Sequence, residues 1–300
     1  MKIPLTLFRS LVLAATLALP LAAHAERDGL PDLHQARDPE LQRGLENVVN
    51  GLGLDREVRS GHLSLALVDV TERDAPRLAM LNGDDMVYAA SLPKIAILLG
   101  AFAEAESGRL PLDDTRLQAM TRMIRYSSNE DATRMLKWVG EDRLIEILQS
   151  PRFRFYDANG GGGLWVGKSY GSEAAYRPDP IHNLSHGATA FQVARLYYLL
   201  ANDALFTPRL NELMKETLGD PGIHHKFVKA LETLPGIRIF RKSGTWKDYH
   251  ADSALVEFGS HRYILVGLAE HPDGGDWLVK LARPLHDLVV SPALTNVARH

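Results

Sequence analysis

Strand-like segments near both ends of this chain constrain its fold more than any other feature. Residues 63–70 alternate in a β-rich pattern, and a turn-like stretch at 71–76 leads to the apolar run 78–81, which predicts a hairpin. Near the other end, a three-strand meander is predicted over residues 236–240, 253–258 and 262–268. We expect the two ends to form one antiparallel sheet, with the intervening chain inserted as a separate lobe.

The rest of the chain has apolar residues at helical spacing. This spacing predicts helices over residues 39–52, 91–106, 115–125, 131–139, 141–148, 190–200 and 277–290. Residues 151–185 are rich in glycine and proline and predict a long loop. The expected class is α+β within one domain, residues 26–300: a sandwich lobe (about 39–90 and 230–300) and an inserted helical lobe (about 91–229).

The first 25 residues match a secretory signal peptide. Lys2 and Arg9 give a positive start, residues 11–21 are mostly apolar, and Ala23-His24-Ala25 fits a cleavage site. The apolar run is short for a bilayer span, although an uncleaved anchor is the alternative. We therefore expect cleavage after Ala25 and a soluble mature protein, in the periplasm or outside the cell, with no stable membrane insertion.

Composition excludes several classes of function. The 300 residues include 34 Lys and Arg, 37 Asp and Glu and no Cys, for a formal net charge of −3. A slightly acidic chain offers no general surface for nucleic acid or an anionic membrane. Without cysteine there is no disulfide, thiolate nucleophile or thiolate zinc site. We expect a monomer without cofactor or metal.

Ser91-Leu92-Pro93-Lys94 is the first of three short motifs. Proline fits the first turn of a helix, so Ser91 should lie at or near a helix start, with Lys94 one turn later. The structural interpretation is that Ser91 caps the helix. The catalytic interpretation is that a desolvated Lys94 takes the proton of the Ser91 hydroxyl, at a helix end that favours negative charge.

Ser127-Ser128-Asn129 falls between two predicted helices. Ser127 and Glu130 fit a capping box for the second helix, which needs no catalytic role. Facing a cleft, however, the Ser127 hydroxyl could relay a proton and the Asn129 carboxamide could hold a substrate amide.

Lys242-Ser243-Gly244-Thr245 follows the predicted strand 236–240. The structural alternative is a strand end with a solvated lysine. On an edge strand, the segment would offer Lys242 to a substrate carboxylate and its backbone to an extended substrate, and the Thr245 N–H could stabilise an oxyanion. Each motif is weak alone, but the three together in this order are the signature of an active-site serine acyltransferase.

These motifs, together with Tyr88-Ala89-Ala90 before Ser91 and Trp246 after Thr245, resemble the penicillin-recognising serine enzymes, namely class A β-lactamases and the related D,D-peptidases. The resemblance extends over about residues 41–290 and implies a β-lactamase/transpeptidase-like fold. It implies that Ser91 is acylated, that Lys94 accepts its proton and that Ser127 protonates the leaving nitrogen. Lys242 would support Ser127, Ser243 would bind the substrate carboxylate, and Asn129 the side-chain amide. The N–H groups of Ser91 and Thr245 would form the oxyanion hole, and Gly244 would be one of the substrate-binding residues.

The chain departs from this family in two places. Only 36 residues separate Ser91 from Ser127, fewer than is typical of class A, so helices should be missing beside the cleft. The Glu-x-x-Leu-Asn string that activates the hydrolytic water in class A is absent as well. Asp179, in Asp179-Pro180-Ile181-His182-Asn183, is the nearest match, and Glu173 is the other candidate base.

His182 and His186 stand four residues apart and suggest a metal site, joined by His224, His225 or His250. No acid is spaced as in a zinc protease motif, so surface or structural histidines are favoured.

The expected function is hydrolysis of the β-lactam amide, with the antibiotic resistance that this implies. A D,D-peptidase or esterase acting on cell-wall peptides is the alternative, and a non-catalytic β-lactam or muropeptide sensor is a second alternative.

Overall fold

A computed structural model describes residues 29–171 and 177–291. The signal peptide predicted over residues 1–25, and Glu173, lie outside the described residues. The helices are α1 (Pro39–Gly51), α2 (Asp55–Arg59), α3 (Lys94–Glu106), α4 (Asp114–Arg125), α5 (Asn129–Val139), α6 (Glu141–Gln149), α7 (Ala190–Ala201), α8 (Pro208–Leu218), α9 (Phe227–Leu231) and α10 (Gly274–Val290). The strands are β1 (Leu63–Asp69), β2 (Arg77–Leu81), β3 (Val87–Tyr88), β4 (Tyr156–Asp157), β5 (Gly162–Gly163), β6 (Trp165–Val166), β7 (His186–Ala188), β8 (Arg238–Trp246), β9 (Tyr249–Phe258) and β10 (His261–Glu270).

Both ends of the chain contribute to one antiparallel sheet. Its five strands stand in the order β2-β1-β10-β9-β8, so the N-terminal hairpin pairs with the C-terminal meander through β1 and β10. This confirms the mixed α+β class and the sheet predicted from the strand-like segments. It also makes β8, which carries the third motif, an edge strand.

The sheet is buried on both faces, as alternate residues of one strand show. In β1, Leu65 and Leu67 belong to a core shared with α1, α9 and α10. Ala66 and Val68 belong to a second core, on the opposite face, shared with α3 and α7. Because successive strand residues point to opposite faces, a strand covered on both sides is apolar throughout.

Helix ends follow local capping signals. Asp38 accepts a hydrogen bond from Leu41 N (2.7 Å) and Pro39 takes the first helical position, so α1 begins as the sequence predicts. The predicted loop 151–185 is only partly irregular, because β4, β5 and β6 lie within it and β6 pairs with β7. Helices α8 and α9 were not predicted from the sequence.

Candidate active site

Ser91 lies in a tight turn immediately before α3. Leu92 N donates to Ala89 O (3.0 Å), Lys94 N donates to Ser91 O (3.3 Å), and Ala90 has a left-handed φ of 52°. Helix α3 starts at Lys94, and no side chain caps it. The capping interpretation of Ser91 is therefore wrong, which leaves its hydroxyl available for chemistry.

Gly244 of β8 fits directly against this turn. A Cβ atom at residue 244 would lie 2.3 Å from Ala89 O and 2.8 Å from Ser91 N. Only glycine permits this approach, which brings the edge strand beside the Ser91 amide. The glycine of the third motif is thus explained by packing against the first motif.

The Lys94 side chain is fully buried, and none of its hydrogen-bond partners within residues 29–171 and 177–291 is a carboxylate. Its Nζ donates to Ser127 O (2.6 Å), Asn129 Oδ1 (2.7 Å) and Ser127 Oγ (3.3 Å), and lies 4.5 Å from the centre of the Tyr170 ring. Burial lowers the pKa of Lys94 to about 7, because the charged ammonium is desolvated there. A substantial fraction of Lys94 is therefore neutral near pH 7.

The capping role predicted for Ser127 belongs to Ser128. Ser128 Oγ accepts from Asp131 N (3.1 Å) and caps α5, whereas Ser127 has a left-handed φ of 58°. The one-residue shift frees the Ser127 hydroxyl from the helix. Asn129, the first residue of α5, is exposed at the cleft and bonded to Lys94.

Ser127 Oγ lies between two lysine amines. Lys242 Nζ donates to it at 3.0 Å and Lys94 Nζ at 3.3 Å, and Lys242 Nζ also donates to Ser243 O (2.6 Å). Lys242 is buried, so the solvated-lysine interpretation is wrong. Burial holds the pKa of Lys242 well below its usual range, and the charge of Lys94 adds to this effect. The three motifs therefore meet at one hydroxyl.

Strand β8 presents alternate residues to two different surroundings. Lys242 and Gly244 face the first two motifs. Ser243 points to the opposite face and is buried, with its Oγ 3.1 Å from His225 Nε2. Thr245 is exposed at the rim of the cleft, and its Oγ1 accepts from Lys226 Nζ on the same face of the strand as Ser243. The third motif thus lies inside the strand rather than after it, because the pairing of β8 with β9 continues as far as Trp246.

The buried charges behind the site are mainly positive. Lys94, Lys242, Lys226 and Arg241 are each at most 3 % exposed, and a buried carboxylate, Asp252, pairs with Arg241 at 2.7 Å. Buried basic groups without an acidic partner are costly to keep charged, which agrees with the lowered pKa values of Lys94 and Lys242.

The cleft has a volume of about 720 Å³ and an aromatic wall. Tyr88 lies edge-on to Tyr249, with ring centres 5.0 Å apart, and Tyr170 lies 4.2 Å from the His186 ring. Burial lowers the pKa of His186 to about 4, so this ring is neutral. Tyr88, Tyr170 and Tyr249 were not predictable as site residues from the sequence, because their place in the cleft depends on long-range packing.

The Asp179 carboxylate is buried and has two hydrogen-bond partners. Its carboxylate accepts from the Tyr156 hydroxyl and from His182 N (2.5 Å), and it is not among the cleft-lining residues. Both oxygens are thus used to hold the turn at residues 179–184. Asp179 therefore stabilises the turn that carries the cleft-lining residues Asn183 and Leu184.

The two histidines predicted as a possible metal pair have separate partners. His182 Nε2 lies 3.2 Å from Gly161 O, and His186 Nε2 lies 3.1 Å from Lys168 O. Within residues 29–171 and 177–291, no three His, Cys, Asp or Glu side chains form a cluster that could hold a metal. In that same part of the chain, no helix is both long and apolar enough to cross a membrane.

A family model described as "Beta-lactamase enzyme family" matches residues 115–289. This range includes Ser127 and Lys242 and covers more than half of the chain. The chain belongs to the β-lactamase enzyme family. It is a serine β-lactamase-like hydrolase, as the order of the three motifs predicts. No curated protein sequence matches it significantly.

Solved structures of this family share the fold at low sequence identity. A β-lactamase from Sphaerobacter thermophilus aligns with a TM-score of 0.64 and 15% identity, over 83% of this chain and 97% of that chain. A class A β-lactamase from Bacteroides cellulosilyticus gives 0.64 and 14%, over 84% and 98%. A variant of PBP-A, solved as an acyl-enzyme complex with penicillin G, gives 0.64 and 15%, over 84% and 97%. The β-lactamase fold predicted from the motifs is thus confirmed.

Proposed function

We propose that this family member forms an acyl-enzyme at Ser91 and hydrolyses the amide of β-lactams. The observation that carries the proposal is the position of Ser127 Oγ between Lys94 and Lys242, next to the turn that holds Ser91. In this proposal the proton would pass from Ser91 to Lys94, and from Lys94 through Ser127 to the leaving nitrogen.

In the proposed acylation, Ser91 Oγ attacks the lactam carbonyl carbon and Lys94 accepts the hydroxyl proton. A neutral Lys94 amine has two N–H groups for Ser127 O and Asn129 Oδ1, and keeps its lone pair for that proton. As the lactam C–N bond breaks, Ser127 protonates the nitrogen and is reprotonated from Lys94. Lys242 favours negative charge on Ser127 during this transfer.

Two backbone N–H groups, those of Ser91 and Thr245, would stabilise the oxyanion. The fit of Gly244 against Ser91 N supports this assignment, since Gly244 directly precedes Thr245 in the strand that packs on the Ser91 turn. The exposed Asn129 carboxamide is suited to hold the substrate side-chain amide.

Deacylation needs a water and a group that activates it. With Asp179 bonded to Tyr156 and His182, we assign this role to Glu173, the other carboxylate in the segment. The protein would act as a monomer on a small molecule, after export to the periplasm or cell exterior.

Intact mass spectrometry and drug loss, measured together with a penicillin and a carbapenem, test the proposal. We expect a transient adduct with turnover in the wild type and neither in Ser91→Ala. The absence of any adduct with every β-lactam tested would overturn the proposal.

A second candidate, a D,D-peptidase or esterase acting on cell-wall peptides, is favoured by one observation. Of the cleft-lining residues in the described part of the chain, none is Asp or Glu. A persistent adduct without turnover, together with D-alanine release from a model peptide, would select this candidate over the lactamase.

A further inference from the structure

Lys226 adopts a backbone conformation that non-glycine residues rarely accept. It lies just before α9 with φ 50° and ψ −120°, a region that favours glycine because it has no Cβ. The side chain is nevertheless buried, at 3 % exposed. A strained backbone conformation persists only where surrounding contacts hold it in place. We therefore expect the Lys226 amine to have strong partners.

The amine of Lys226 contacts the backbone of the motif strand. Its Nζ donates to Gly244 O at 2.6 Å, to Thr245 Oγ1 at 2.8 Å and to Ala251 O at 3.0 Å. It approaches β8 from the face opposite Ser91, the face to which Ser243 and Thr245 point. Lys226 therefore lies directly behind the edge of the cleft.

Gly244 C=O and Thr245 N–H belong to one peptide unit. The unit is planar and trans, so its carbonyl and its N–H point in opposite directions. A cation on the carbonyl oxygen fixes the orientation of that plane. It also polarises the amide, which makes the N–H at the other end a stronger donor.

We propose that Lys226 is a positioning residue for acyl transfer, whose ammonium group orients and polarises the Gly244–Thr245 peptide from behind the oxyanion hole. This inference rests on the proposed function, in which the Thr245 N–H donates to the oxyanion.

The segment that carries Lys226 is hydrogen-bonded to β8 and β9. Phe227 N donates to Asp252 Oδ2 (3.1 Å). Arg241 is paired with the same carboxylate, and its Nη1 donates to Ile223 O (2.9 Å). Burial lowers the pKa of Lys226 to about 8, an effect opposed by Asp252 and increased by Arg241. Lys226 is thus predominantly cationic at pH 7, as the proposed role requires.

The backbone conformation makes a sharp test possible. Lys226→Gly removes the amine and also relieves the strain, so the variant is expected to fold. Lys226→Met removes the charge but keeps the length of the side chain and the strain. Lys229→Met is the matched control, because Lys229 is an exposed lysine of the same short helix.

For each variant we would measure the acylation rate constant and the non-covalent dissociation constant of a penicillin by stopped flow. Both Lys226 variants should lose about 10- to 100-fold in the rate constant, as expected for a lost hydrogen bond from a charged group. Their dissociation constant should change much less, because the Thr245 N–H that Lys226 orients is proposed to act in the transition state rather than in ground-state binding. The affinity of a boronic acid that forms a tetrahedral adduct with Ser91 should fall in parallel with the acylation rate constant.

The ¹³C shift of the Gly244 carbonyl gives a readout that is independent of catalysis. It should move in both Lys226 variants and stay unchanged in Lys229→Met. An unchanged acylation rate in Lys226→Gly, or an unchanged Gly244 shift, would overturn the inference while leaving the proposed function intact. If the wild type forms no adduct with any β-lactam or boronic acid, the proposed function fails, and the catalytic role of Lys226 fails with it.

Discussion

Gly244 packs so closely on Ser91 that a Cβ atom at residue 244 would lie 2.8 Å from the Ser91 amide nitrogen. The residue at position 244 therefore limits how near the edge strand can come to Ser91. The contact involves backbone on both sides, so no side-chain rotation can relieve a clash there.

Gly244→Ala should reduce acylation by about 100-fold or more and destabilise the protein by about 1–3 kcal/mol, because backbone atoms must move apart. Gly51→Ala is the matched control. Gly51 ends α1, and a Cβ atom there meets nothing within 4 Å, so this variant should be neutral or slightly more stable. Thermal denaturation and the acylation rate measure both effects, and normal acylation in Gly244→Ala would contradict the packing argument.

Ser127→Ala and Ser128→Ala should separate catalysis from capping. Ser127→Ala removes the hydroxyl between the two lysines and should reduce acylation by about 10²- to 10⁴-fold, the range for a positioned acid–base group. Ser128→Ala removes the cap of α5, at a cost of about 1 kcal/mol in the free energy of unfolding. Stopped-flow acylation and denaturant titration of both variants test this, and equal acylation rates would refute the assignment of Ser127.

Acylation should rise as the pH increases through about 7. Lys94 must be neutral to accept the Ser91 proton, and burial lowers its pKa to about 7. Lys94→Arg should abolish the ascending limb, because a guanidinium does not lose its proton in this range. A rate constant that is flat from pH 5 to about 9 in the wild type would exclude Lys94 as the proton acceptor.

The lowered pKa of Lys94 also makes the free energy of unfolding depend on pH. The unfolded state keeps the ordinary lysine value of 10.5 and so binds more protons than the folded state between about 7 and 10.5. The contribution of Lys94 therefore makes the protein more stable as the pH rises through that window. The unfolding free energy of the wild type minus that of Lys94→Met should therefore increase as the pH rises across this range. A difference that is independent of pH would contradict it.

Asp179→Asn and Glu173→Gln should differ in the step they affect. Asp179 holds Tyr156 and His182 N, so Asp179→Asn should lower the melting temperature while the adduct still turns over. Glu173→Gln should leave a long-lived adduct, because the base assigned to deacylation is removed. Intact mass followed over time distinguishes them, and an adduct that persists only in Asp179→Asn would return the role of base to Asp179.

Elements with strong local signals were predictable from the sequence. Asp38 and Pro39 define the start of α1 without any distant partner, and the apolar residues of β1 make that strand recognisable. The end of β8 was not predictable in this way. Lys242 and Gly244 have weak strand preference, and pairing with β9 keeps them in the sheet.

The Ser127 prediction shows the limit of local patterns. Ser127 and Ser128 are the same residue type, and either could cap α5 by its spacing to Glu130 or Asp131. The left-handed φ of Ser127 decides the matter, and contacts with Lys94 and Lys242 accompany it. Short-range spacing cannot encode such a choice, because the two lysines come from distant parts of the chain.

The sequence by itself determined the family, the antiparallel sheet built from both chain ends, and the residues of the three motifs. Only the tertiary structure decided that Ser128 is the cap, that the Asp179 carboxylate bonds His182 N, and that Lys226 Nζ bonds the Gly244 carbonyl. The physical reason is that motif residues are recognisable by type and order along the chain. The pKa of Lys94 and the orientation of a peptide plane, in contrast, depend on burial and on contacts between residues far apart in sequence.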